Sequence, residues 1–135
     1  MKVFVTTIDN ANKLINDCSS NVLIYNPSYV LDKKQAEFAA VLALKAFENG
    51  QNIANKLAIE FLVRLSGEKQ IKKALAFGME GLGEIAGIVL LDDEVPDNIQ
   101  EIPFTPDINM ISRKYGVKKK DIEKGIYEKM ALVDI

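Results

Sequence analysis

The sequence predicts a mixed α+β domain, a small sheet packed against several helices, and three observations carry that prediction. Val3–Thr7 and Val22–Tyr25 are short runs of β-branched and aromatic residues; residues 36–47 and 53–65 are two successive strongly apolar helical segments; and Ile85–Leu91 (IAGIVLL) is a continuous apolar run. Two apolar helices cannot both lie on a surface without further cover, and an uninterrupted apolar strand belongs in the middle of a sheet covered on both faces. At 135 residues the chain has the length of one domain, and 48% hydrophobic with 27% charged residues is a globular composition.

Taken in order, Val3–Thr7 reads as a strand, Asp9–Asp17 has helical spacing, and Val22–Tyr25 is a second strand stopped by Asn26-Pro27. Asp32 followed by Gln35 resembles a capping pair opening QAEFAAVLALKAFENG, which Asn49-Gly50 closes. A nearly all-apolar helix over 53–65 breaks at Ser66-Gly67. Beyond the break Lys69, Lys72 and Lys73 recur on one side of a second, amphipathic helix, opposed by Ile71, Ala74 and Leu75. Gly78, Gly81, Gly83 and Gly87 precede a strand, whereas a dinucleotide loop follows one, so they read as turn residues. DDEVPDNIQEIPFTP is a loop with a short extended piece around Ile102–Phe104, and Thr105-Pro106 starts a helix that Gly116 ends. The final segment places Ile122, Ile126 and Met130 on one stripe.

Composition excludes several chemistries. The chain has no histidine and one cysteine, Cys18, which rules out imidazole bases, Ser-His-Asp arrangements, an internal disulfide and CxxC metal pairs. Cys18 reads as a small core residue. Asp92-Asp93-Glu94 lacks the spacing of a calcium loop and reads as solvated surface, so neither a metal nor another cofactor is expected. The formal charge of -2 hides an uneven distribution. Eight acids and no base lie between Ala74 and Ser112, and seven bases against three acids lie between Arg113 and Lys129. Local patches can therefore steer a charged partner although the whole chain is slightly acidic. Without a long apolar run or a secretory leader, the chain reads as cytoplasmic and not membrane-bound.

The charged residues of the 52–74 stretch form the candidate site. Lys56, Glu60 and Arg64 are four residues apart and share a helix face; a break at Ser66-Gly67 would bring Arg64 near Lys69, Lys72 and Lys73 as a cradle for an anion. A solvated lysine face is the plainer reading of the same pattern. Glu60 beside Lys56 and Arg64 also suits a carboxylate-based enzyme, or an ion-pair ladder. The apolar end of the chain either docks on its own domain or stays open for a partner.

NPSYV, AFENG, NIANKLAIEFLVRLSGEKQIKKAL and YEKMALVDI together resemble the Cgi-type small subunits of the KEOPS complex, the PRPK-binding protein family. Leu65-Ser66-Gly67 and Gln70-Ile71 carry the resemblance most specifically, with Lys69 where arginine is often seen. The resemblance implies a non-catalytic regulatory subunit of the machinery that makes threonylcarbamoyladenosine in tRNA. Such a subunit docks on and activates a Bud-type kinase/ATPase and binds the single-stranded CCA end of tRNA. Carried onto this chain, Lys56, Arg64, Ser66, Gly67, Lys69, Lys72 and Lys73 are the expected RNA contact. Ile122, Ile126, Tyr127, Met130, Leu132 and Val133 are the expected kinase contact, joined by the first helix around Leu14 and Ile15. A stand-alone enzyme and an RNA-binding module without a kinase are the alternatives.

Overall fold

The computed structural model describes residues 1–18, 21–80, 82–92, 95–96 and 98–134, without the side chain of Cys18. The expected burial of Cys18, the turn at Gly81 and the acids Asp93 and Glu94 therefore lie outside the described residues. The order is β1 (Lys2–Thr7), α1 (Ile8–Cys18), β2 (Val22–Tyr25), α2 (Lys33–Glu48), α3 (Leu57–Ser66), α4 (Ile71–Ala74), β3 (Ile85–Leu90), α5 (Ile108–Tyr115) and α6 (Ile122–Ala131). Single 3-10 turns occur at Pro27–Tyr29, Leu75–Phe77, Lys119–Asp121 and Leu132–Asp134.

The apolar run of β3 is the middle of a three-stranded sheet in the order β1-β3-β2, antiparallel to both neighbours. Phe4 and Ile24 lie opposite Ile88 and join Ala11 and Leu14 of α1 in one apolar cluster. One residue along, Leu23, Tyr25 and Val89 point to the other face and meet α2 and α3 in the larger cluster. The mixed α+β class predicted from the sequence is thus the observed one.

α2 is attached through alanines: Ala36, Ala39, Ala40, Ala43 and Ala46 form its buried face, and such small side chains let the helix lie close along α3. Its cap is a variant of the expected one. Asp32 Oδ1 accepts from the Gln35 N–H at 2.9 Å, while the Gln35 side chain accepts from Leu31 N–H at 2.7 Å.

Four local expectations are corrected. α3 begins at Leu57, and residues 51–56 form a loop held by side chains rather than another helical turn. The lysine-bearing helix is only one α turn followed by a 3-10 turn, and Ile71 is exposed instead of buried. α5 begins after Asp107, whose Oδ1 accepts from the N–H groups of Asn109 and Met110; this carboxylate, not Thr105, satisfies the free amides. Gly87 lies inside β3, where any Cβ would overlap the ring of Tyr25 on β2. It is a close-approach glycine and not a turn residue.

Candidate functional site

The charged stripe of α3 faces inward. Glu60 is fully buried and Arg64 is 1% exposed, which is tolerable only because both are paired and hydrogen-bonded. Glu60 Oε1 accepts from the N–H groups of Ile53 and Ala54, each at 2.7 Å, and Oε2 accepts from Arg64 Nε at 2.7 Å. Arg64 Nη1 donates to Asp134, and Nη2 reaches the Gln51 carbonyl at 3.4 Å. The cluster thus ties the 51–54 loop, α3 and the last turn of the chain together, supplying acceptors to backbone amides that no strand or helix satisfies. Burial opposes the guanidinium charge, but the hydrogen bonds to Asp134 and Glu60 outweigh it and hold the Arg64 pKa above its ordinary value.

This arrangement separates the expected RNA-binding residues. Arg64 is 1% exposed and engaged by Glu60 and Asp134. Lys56 is exposed at the N-cap of α3, one helix length or roughly 15 Å from Gly67, so the two ends cannot form one junction. The expected ladder keeps only its Glu60–Arg64 rung; Lys56 makes no ion pair among the described residues. Ser66 is buried, its hydroxyl donating to the Val63 carbonyl and accepting from Glu68 N–H. Gly67, at φ 69°, is the left-handed C-cap of α3. Lys69, Lys72 and Lys73 remain exposed together around the short α4 turn, and Lys69 borders a shallow cleft with Gln51, Ile53, Val133 and Asp134.

The end of α3 is closed by its neighbours. The Leu65 carbonyl accepts from Tyr115 Oη at 3.0 Å and Gln35 Nε2 at 3.4 Å, and Gln35 Nε2 also donates to Tyr115 Oη at 2.7 Å. Burial pushes the Tyr115 phenol well above its ordinary range. Lys129 of α6 crosses the Gly67 turn, bonding Glu68 at 3.2 Å and the Tyr115 carbonyl at 3.4 Å.

The expected kinase-contact residues divide as well. Ile126, Met130 and Val133 are core residues, and so is Leu14 of α1. Their side chains bind this domain to itself because the α6 stripe lies directly against α3. Ile122 and Tyr127 are half-buried, Tyr127 stacking obliquely on Phe38, and Leu132 is 56% exposed.

A different surface is open and apolar. Ile15, Val22, Ile24, Ala58, Ile59, Leu62, Leu75 and Met79, with Glu80 as the one charged residue, border a cleft of about 330 Å³ between α1, the outer edge of β2 and α3. The Leu91 N–H bonds the Asn21 carbonyl, so in the antiparallel alternation Leu23 and Tyr25 turn their backbone groups toward β3, while Val22 and Ile24 turn theirs outward. An edge of this kind, flanked by apolar side chains, is a surface that proteins normally cover. The sequence signal was the all-round apolarity of α3, which suggested complete burial; the structure leaves Ala58 exposed and Ile59 half-exposed.

Among the described residues no group of three or more metal-ligating side chains comes together, and no helix is long and apolar enough to cross a membrane. Buried charges committed to the fold, with open clefts and lysines at the surface, define the class: a small α+β domain that offers binding surfaces. A family model described as "Kinase binding protein CGI-121" matches residues 5–134, and the chain belongs to that family. It is also similar to the KEOPS complex subunit Cgi121 of Pyrococcus abyssi, with 36% identity over 67 residues. That match covers 50% of this chain and 37% of the relative.

Proposed function

We propose that the chain is a regulatory subunit of a KEOPS-type complex that docks on the complex's Bud-type kinase/ATPase, activates it, and contributes to threonylcarbamoyladenosine formation by holding the 3′ CCA end of tRNA. The family description and the relative's name support the kinase and the complex. The observation that carries the docking is the apolar cleft along the free edge of β2. Ile15, Ile24, Ile59, Leu62 and Met79 are the anchors, because desolvated apolar contacts at the centre of an interface supply most of its energy. Leu132 with Ile122 and Tyr127 forms a secondary rim. A stand-alone carboxylate enzyme is disfavoured, since both oxygens of Glu60 are occupied and no substrate reaches it.

Co-purification with the kinase tests the docking face. Truncation after Lys129 is uninformative, since it removes the core residues Met130 and Val133. The pair Ile15→Glu and Ile59→Glu, both half-exposed in the free domain, is expected to weaken kinase binding by about thirtyfold or more. Leu132→Glu is expected to change it little. The reverse ranking would move the interface to the C-terminal turn.

For the RNA, the contact reduces to Lys69, Lys72 and Lys73. These exposed cations make no ion pair with the described residues, and a few phosphates of a single strand suffice for them. Ser66 and Gly67 shape the turn that presents them, and Arg64 fixes the loop and chain end beside it.

A further inference from the structure

A second cleft, of about 410 Å³ and sharing no residue with the first, lies where residues 101–106 pass β1 and the start of α2. Its construction begins at Gly87. Val5, Gly87 and Tyr25 are directly opposed across the three strands. Lacking a side chain, Gly87 lets the Tyr25 ring lie across β3, its Cδ2–Cε2–Cζ edge over Gly87. The cleft is held open there because residues 100–102 are fastened to β1. Ile102 N–H donates to the Val5 carbonyl at 2.8 Å, and Thr6 Oγ1 donates to the Gln100 carbonyl at 2.6 Å.

Tyr25 is 2% exposed, yet its hydroxyl makes no hydrogen bond among the described residues. No sealed and unsatisfied side-chain oxygen or nitrogen exists among those residues, so the hydroxyl opens into the cleft that Tyr25 lines. A nearly buried phenol whose hydroxyl opens into a cleft and has no protein partner among the described residues is available to hydrogen-bond a bound molecule. Around it Val5, Val30, Leu31, Ile102 and Phe104 provide an apolar lining. The mouth carries Asp32, Glu101 and Lys33, and Lys33 is ion-paired with Glu101, which leaves one excess negative charge. Asp32 and Glu101 line the same cleft as Tyr25, and after desolvation by burial their charges also act to raise the Tyr25 pKa.

We propose that this cleft binds a small primary amine bearing an apolar or aromatic body. The body fills the lining between Val30 and Phe104. The ammonium donates to the Tyr25 oxygen, which can accept as well as donate, and Asp32 and Glu101 balance its charge. A phosphate or carboxylate at the same point would face the two acids without a free cation, so anions are rejected.

The test titrates the full chain with tryptamine, its neutral analogue tryptophol and the anion indole-3-propionate, followed by backbone amide NMR shifts. Tryptamine is expected to bind best, tryptophol several-fold more weakly, and indole-3-propionate weakest, with shifts centred on residues 25–33 and 101–106. Tyr25→Phe removes only an unpartnered hydroxyl and is expected to weaken tryptamine about tenfold without loss of fold. Asp32→Asn keeps a helix-capping side chain and is expected to bring tryptamine to the level of tryptophol. Equal affinities for the three probes, shifts centred elsewhere, no saturation at low-millimolar tryptamine, or an unaffected Tyr25→Phe would each overturn the assignment.

Discussion

The two ionic partners of Arg64 differ in environment, and that difference sets what each is worth. Glu60 is fully buried, and removing it leaves a guanidinium without its inner counter-charge and two loop amides without an acceptor. Glu60→Ala is therefore expected to destabilise the domain by about 3–5 kcal/mol. The Asp134 side chain is 55% exposed, so its pair is screened, and Asp134→Asn is expected to cost about 1 kcal/mol or less. Urea unfolding of the two variants measures both; equal, small losses would show that the cluster is solvated. Part of this site was legible in the sequence, because Glu60 and Arg64 are four residues apart on a helix. Asp134 was not, being 70 positions from Arg64 and placed only by the packing of α6 on α3. The burial of Arg64 was half legible: all-round apolarity marks α3 as a buried helix, while the RNA reading turned the same charged stripe toward a partner.

Helix ends show the same division between local and tertiary causes. Gly67 and Gly116 both terminate helices at φ 69°, and each was legible as a helix-ending glycine. Their surroundings separate them. A Cβ at Gly116 would meet nothing within 4 Å, whereas one at Gly67 would lie 2.7 Å from Lys129 Cγ and 2.9 Å from the Lys129 carbonyl oxygen. Gly116→Ala is expected to cost about 1 kcal/mol for the left-handed backbone alone. Gly67→Ala is expected to cost about 2 kcal/mol or more, because α6 must also retreat. Thermal unfolding that ranked the two equally would remove the α3–α6 contact from the explanation. The three strands and the central place of β3 were readable because β-branched and apolar runs report directly on sheet burial. The start of α5 was misplaced because Thr105-Pro106 and Asp107 compete as caps, and the carboxylate won. The lysine helix was overestimated because helical spacing over a few residues persists through a 3-10 turn, and Gly87 was misread because its reason is a ring on another strand.

Across the whole molecule a formal charge of -2 disfavours general attraction to RNA, so the proposed binding calls for a local group that the net charge does not reveal. Lys69, Lys72 and Lys73 are the group the proposed RNA contact rests on, and their exposure makes them replaceable without penalty to the fold. Arg64→Glu cannot serve the same purpose, since it would set a buried carboxylate against Glu60 and unfold the site it was meant to probe. The triple variant Lys69→Glu, Lys72→Glu, Lys73→Glu is expected to weaken binding of intact tRNA at least about tenfold at low salt. Each lysine engaged on a single strand contributes about 0.7 to the slope of log affinity against log salt, so the slope should flatten by up to about 2. Removing the CCA end from the tRNA should weaken the unaltered protein and leave the triple variant little changed, because both operations delete one contact. Filter binding across a salt series measures all of these quantities. An unchanged slope in the variant, or a CCA-end effect that survives the three substitutions, would place the RNA on another face.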